Sequence, residues 1–161
     1  MRSALLFSLL LALCYSPSAY SKESKNLTGP ATIAPPDEFF YEVLDFEQIV
    51  DGDTFKASGR TIRVWGINAP EKNQPFHSES SLALRAFLET GMLRCKQIEK
   101  DKYRRDVMHC YSGQNDIGAL MVKSGFASNF AKYSGGFYHA EQEFAKEGRL
   151  GIWDTAPNIQ P

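Results

Sequence analysis

From residue 39 onward the chain switches between two apolar periods, and the switches predict its elements. "FFYEVLDFEQIV" is rich in aromatic and branched residues and reads as a strand, and "DTFKAS" continues as a second after a tight Asp-Gly-Asp. Ser58-Gly59 marks a turn into a third strand, "RTIRVWGI". The period then becomes helical. A helix is predicted from about Ser78, as N-cap, to Glu89, with Leu84, Phe87 and Leu88 as its apolar stripe and Gly91 beyond its end. "LRCKQIEK" and "DVMHCYS" read as two strands joined through "DKYRR". A further helix starts at Asn115 or Asp116, buries Ile117, Leu120 and Met121, and stops at Gly125. After the loop "NFAKYSGG" a last helix spans roughly Phe137 to Glu147, with Phe144 and Ala145 inward, before Gly148, Gly151 and "IWD". Phe87, Phe126 and Phe144 are assigned to the core.

The order is three strands, a helix, two strands and two helices. It predicts an α+β chain, a small five-stranded OB-type β-barrel with three helices. One fold hosts many functions, so the pattern alone assigns none.

Upstream of the barrel the composition changes. Arg2 precedes the apolar run "ALLFSLLLALC", and small residues follow at Ala19 and Ser21. These are the parts of a secretory signal peptide over residues 1–21, and the apolar run is too short for a comfortable membrane span. Lipid attachment through Cys14 is the alternative, set against the bulky Leu13 before it. Residues 22–36 read as a flexible leader, 37–155 as the domain and 156–161 as a short tail. The protein is thus expected to be exported, to the periplasm or beyond.

Losing residues 1–21 removes Arg2 and no acid, leaving 17 Lys and Arg against 19 Asp and Glu. Bulk positive charge is therefore excluded as a means of holding nucleic acid, and any polyanion chemistry needs a local cluster. Cys95 and Cys110 remain, and in an oxidising compartment a disulfide is the first reading, with two buried thiols as the alternative.

The stretch "IRVWGINAPE" puts Arg63 on a strand otherwise rich in buried types, then ends in Asn68 and Glu71. Taken alone, Arg63 points to solvent and the other two are loop residues. Together with "VDGDTFK", "DKYRR", "DIGALMVKSGFA", "YHAEQEFA" and the closing "GIW", however, it resembles the staphylococcal-nuclease-like, or thermonuclease, family over about Leu44 to Asp154.

That resemblance implies an OB-type barrel that cuts DNA and RNA phosphodiesters with calcium. Carried over by position, it implies that Asp53 is a calcium carboxylate, that Asn68 stands where a second Asp is usual, and that the carbonyl of Ala69 joins the metal. Glu71 matches the carboxylate that activates water, and Arg63 and Arg105 match the arginines that grip the phosphate. Lys102 and Tyr103 match contacts to the phosphate and sugar, and Tyr133 matches one of two tyrosines near the base. Ala131 stands where the other would be. Arg104 replaces a usual glycine, and "QPFHSES" lacks a common Tyr-Gly. For Lys102, Tyr103 and Tyr133 an exposed loop residue is the competing reading. Asp51 either adds negative potential near the metal or simply forms the turn, and Asp101 is assigned to holding its hairpin. His77, His109 and His139 show no metal-ligand spacing and are read as structural.

The expectation is a calcium-dependent endonuclease, a monomer by default, whose metal site is weakened because an amide at position 68 carries no charge. A catalytically weak or inactive nucleic-acid-binding module is the alternative. An envelope-associated domain without a nucleic acid partner is the third.

Overall fold

The barrel is closed by a single bent segment. In the computed structural model, which describes residues 40–154, the first predicted strand is split into β1 (Glu42–Val43) and β2 (Phe46–Asp51). β1 pairs with β6 (Leu93–Lys100) and β2 with β3 (Thr54–Ala57), both antiparallel. The bend between them lets one stretch serve two neighbours. Leu44 N–H donates to Leu93 O at 3.0 Å, and Asp45 O accepts from Ser58 N–H at 2.9 Å.

β3 returns as β4 (Arg60–Val64), which lies parallel to β7 (Asp106–Ser112), the antiparallel partner of β6. The order β1-β6-β7-β4-β3-β2 thus comes back to its starting segment. With β1 and β2 counted as one bent strand, this is the five-stranded OB-type barrel.

Turn chemistry fixes the hairpins. Ser58 and Gly59, with φ of 48° and 74°, join β3 to β4; two left-handed residues match the twist of the flanking strands. The β2–β3 turn needs glycine for another reason. A Cβ on Gly52 would stand 2.7 Å from the Cβ atoms of both Ala69 and Ser80. That hairpin tip is therefore packed under residues 68–70 and helix α1 (His77–Leu88).

Inside the ring, Phe55, Ile62, Val64 and Met108 meet Leu84 and Leu88 of α1 and Ile117 and Met121 of α2 (Ile117–Lys123), all 2% exposed or less. Each such side chain contributes about 1.5–3 kcal/mol of burial. Asp116 starts α2 as expected, its carboxylate accepting from Ala119 N–H at 3.0 Å. β8 (Asn115–Asp116) extends β7, and β5 (Ile67–Asn68) pairs outside the barrel with β9 (Ser128–Asn129). Cys95 and Cys110 face each other across β6 and β7 and are joined in a fully buried disulfide.

Several expectations are corrected. The third strand stops at Val64, because Trp65 and Gly66 turn the chain, with Gly66 at φ 76°, and send Ile67 and Asn68 to β9. Ser78 is not the N-cap of α1; that position is Phe76, at φ 67° and without a side-chain cap, so the turn is made before the serine is reached. The loop "NFAKYSGG" contains a one-turn helix, α3 (Ala131–Ser134), and the last helix, α4, covers His139–Glu147. Leu120 is only half-buried. Phe144 is not core. It is 53% exposed, with Lys123 Nζ 5.0 Å from its ring centre, while neighbouring Ala145 is fully buried. Only the small side chain fits where α4 meets the body.

The expected signal peptide, leader and final tail lie outside the described residues. Among the described residues no helix is long and apolar enough to cross a membrane.

Candidate active site

Register brings Arg63 and Arg105 to one face. Arg63 alternates with Ile62 and Val64, which point into the barrel, so its side chain leaves from the outer surface. Its cross-strand neighbours are Thr54 on β3 and Val107 on β7. Arg105 precedes Val107 by two residues and shares its side. Arg63, Val107 and Arg105 line a cavity of about 430 Å³ whose walls include Lys102, Tyr103, Phe130 and Tyr133.

The β6–β7 turn presents Arg105 through Asp101. Asp101 Oδ1 accepts from the N–H groups of Tyr103 and Arg105, each at 2.9 Å, and Oδ2 accepts from Arg105 Nε at 2.7 Å. Burial pushes the Asp101 carboxyl up, but the bonds from Arg105 and Tyr103 outweigh it and hold the group below its ordinary value. Asp101 therefore organises the hairpin. Arg104 has φ 65°, which explains why glycine suits that position; the left-handed region costs an ordinary residue roughly 1–2 kcal/mol.

Asp53 lies beneath the cavity with its oxygens engaged. Oδ1 accepts from Thr54 Oγ1 at 2.9 Å, Oδ2 accepts from Ala69 N–H at 3.3 Å, and Arg63 Nη1 stands 2.5 Å from Oδ2. Burial raises its carboxyl above the ordinary value. Arg63 opposes that shift, Asp51 adds to it, and the Ala69 N–H and Thr54 hydroxyl oppose it more weakly. Asp51 Oδ1 also accepts from Asp53 N–H at 3.2 Å. Arg63 Nη2 donates to Ile67 O at 3.2 Å, whereas Nη1, shut off from solvent, touches Asp53 as an ion without an aligned hydrogen bond. Arg105 Nη1 reaches Thr54 Oγ1 at 3.4 Å, so Thr54 links the two arginine assemblies.

Not every predicted residue joins this cavity. Ala69 is buried beside Asp53, but Asn68 is exposed and lines a second cavity of about 480 Å³ with Pro70, Gln74 and Ser128. Glu71 is exposed on the next loop, its N–H donating to Gln74 Oε1 at 2.7 Å, and it lines neither cavity. Two contributors escaped the sequence reading. Thr54 shows itself only through its register with Arg63. Phe130 shows itself as an aromatic one position before Ala131, its ring 4.7 Å from that of Tyr133 and edge-to-face with it.

Among the described residues no three Asp, Glu, His or Cys side chains gather as a metal centre. The oxygen donors here are the carboxylates of Asp53 and Asp51, linked through Asp53 N–H; Ala69 N–H ties the Asn68–Ala69 segment to Asp53, while Asn68 O accepts from Ser128 Oγ at 3.2 Å. Such hard oxygen donors fit calcium, with little negative charge to hold it.

The family described as staphylococcal nuclease homologue matches residues 61–155. The chain is 30% identical over 121 residues to the succinoglycan biosynthesis protein ExoI of Rhizobium meliloti (strain 1021), covering 68% of this chain and 63% of that protein. It is 31% identical over 120 residues to an uncharacterized endonuclease of Haemophilus influenzae, covering 71% and 67% respectively. A probable staphylococcal-like nuclease, CAN1 of Oryza sativa subsp. japonica, is 30% identical over 111 residues, 68% of this chain and 34% of that protein. The chain thus spans less than two thirds of the first and last of these relatives. The matched span runs from the strand that carries Arg63 through the turn that carries Arg105 to the end of the described fold, and on that ground the chain belongs to the staphylococcal nuclease family of homologues.

Proposed function

We propose that the protein is an exported, calcium-dependent phosphodiesterase that cuts DNA, RNA or both. The observation that carries this reading is the cavity shared by Arg63 and Arg105, which arrive from separate hairpins and are joined through Asp53 and Thr54. Phosphodiester hydrolysis gathers negative charge on the phosphate oxygens, and prearranged cations lower the barrier because they need not reorganise. Arginine suits this role because its planar fork meets two oxygens at once. Asp53 and Ile67 O hold Arg63, and Asp101 and Thr54 hold Arg105, so both forks are oriented beforehand.

The remaining roles follow the same logic. Glu71 accepts a proton from the attacking water as the water oxygen bonds to phosphorus and the P–O bond to the leaving sugar oxygen breaks, that oxygen taking a proton from solvent. Lys102 and Tyr103 meet the flanking phosphate and sugar; Lys102 Nζ and the Arg105 guanidinium lie 4.9 Å and 5.5 Å from the Tyr103 ring centre. Tyr133 faces the base. Asp53, Asn68 and the Ala69 carbonyl would hold calcium, with Asp51 adding negative potential. Bound there, calcium would polarise the phosphate and lower the pKa of nearby water. The endonuclease name of the Haemophilus relative supports this reading. Export to the periplasm or outside the cell rests on the signal-peptide pattern of residues 1–21, and a monomer is the simplest state.

The test is cleavage of single-stranded DNA and of RNA, with calcium and then with a chelator, alongside Glu71→Ala and Arg105→Ala. Calcium-dependent cutting lost in both variants supports the reading. The position of Glu71 outside the cavity wall favours one second reading, a nucleic-acid-binding module with little or no catalysis. Binding without cutting selects it.

A further inference from the structure

Phe130 is half-buried and anchored through both of its backbone groups. Its N–H donates to Gly66 O at 2.8 Å, and its carbonyl accepts from Tyr133 and Ser134 N–H at 2.9 and 3.0 Å, so it opens the one-turn helix α3. Tyr133, three residues on, is 50% exposed and sits on a helix too short to hold a ring by itself. The Phe130 ring meets it edge-to-face at 4.7 Å, inclined by 64°. With Gly66 and Ile67 the pair forms an apolar wall of the cavity that also holds Arg63. A ligand that offers both a phosphate and a flat apolar face matches that combination, and a nucleotide has both.

We infer that Phe130 is a positioning residue: it holds the Tyr133 ring as the wall against which a nucleobase lies, and so sets affinity for base-bearing substrate without touching the phosphate. The inference rests on the phosphodiesterase reading above. It predicts an effect confined to substrates that carry a base, which a merely structural role for Phe130 would not produce.

The experiment compares wild type, Phe130→Ala, Phe130→Leu and Phe130→Tyr on a thymidine oligonucleotide and on the same backbone with its bases removed. Steady-state kcat and KM are measured for each, and thermal melting checks folding. Phe130→Ala is expected to raise KM about five- to tenfold on the thymidine strand, the size of a lost aromatic pair, with kcat unchanged. Phe130→Tyr restores KM, and on the baseless strand all four proteins agree. If Phe130→Ala fails to fold, Phe130→Leu carries the test, since it keeps apolar volume without a ring. Wild-type cutting with KM unchanged in both the alanine and leucine variants, or raised equally on the two strands, overturns this inference alone. A wild type that neither cuts nor binds either strand overturns the phosphodiesterase reading and this inference with it.

Discussion

Asp53 Oδ2 lies 2.5 Å from Arg63 Nη1, which joins the proposed metal carboxylate to the proposed phosphate fork. Each group is mostly buried, with side chains 8% and 15% exposed. A cation and a phosphate entering this site would draw on the same ion pair from opposite sides, so the two binding events are linked through it.

Arg63→Gln leaves the Asp53 carboxylate buried without its main cationic partner. Burial already raises that carboxyl, and the substitution raises it further. A carboxyl raised in the folded state above its unfolded value costs stability wherever it is ionised. The expected loss of about 1–3 kcal/mol at pH 7 therefore shrinks as the pH falls toward the ordinary value of 3.8. Urea unfolding at pH 7 and near pH 4 checks this, and an equal loss at both would remove Asp53 from the explanation.

Asn68→Asp adds one negative charge to the segment whose next residue, Ala69, hydrogen-bonds Asp53. Calorimetric titration is expected to show calcium binding on the order of tenfold tighter, since ligand charge is a main determinant of affinity. Unchanged affinity places position 68 away from the ion.

Asp101→Asn keeps the shape of the β6–β7 turn but turns an acceptor of the Arg105 Nε bond into an amide. We expect kcat/KM to fall roughly 10- to 100-fold, the effect of one charge-assisted bond, and the melting temperature at neutral pH to fall with it, because the ionised carboxylate contributes to stability there. The Asp101 carboxyl is held below 3.8, so its contribution is present at neutral pH and is lost as the pH falls through that depressed folded value. Wild type and variant should converge in stability only there. Divergent melting with equal activity would count against a role in aiming Arg105.

Removing both Cys95 and Cys110 as alanines opens a cross-link between residues 15 apart in sequence. About 3 kcal/mol of stability should go with it, read by denaturant unfolding, while activity at low temperature persists because β6 and β7 keep their pairing. Thiols that alkylate freely in the native protein would contradict the bond.

Much of this molecule was legible from local pattern. Alternation marked β3, β4, β6 and β7, and Asp116 announced the start of α2, because those signals depend on neighbours a few residues away. The failures have equally plain causes. Phe144 looked like core because it is apolar and helical, but the closeness of α4 to the body admits only Ala145. Ser78 looked like a cap because of its type, yet the left-handed residue at Phe76 had already turned the chain.

By itself, the order of residues determined the barrel class and the identity of the charged groups, since periodicity, turn chemistry and motif order are written along the chain. Only the tertiary structure decided which of those groups meet. Arg63 and Arg105 share a cavity because β4 lies parallel to β7 with Arg63 opposite Val107, and Phe130 supplies the aromatic neighbour of Tyr133 because β9 turns into α3 there. Glu71 stays outside that wall. A one-residue slip in register between β4 and β7 would send Arg63 to the other face, and register is set by packing between segments far apart in sequence.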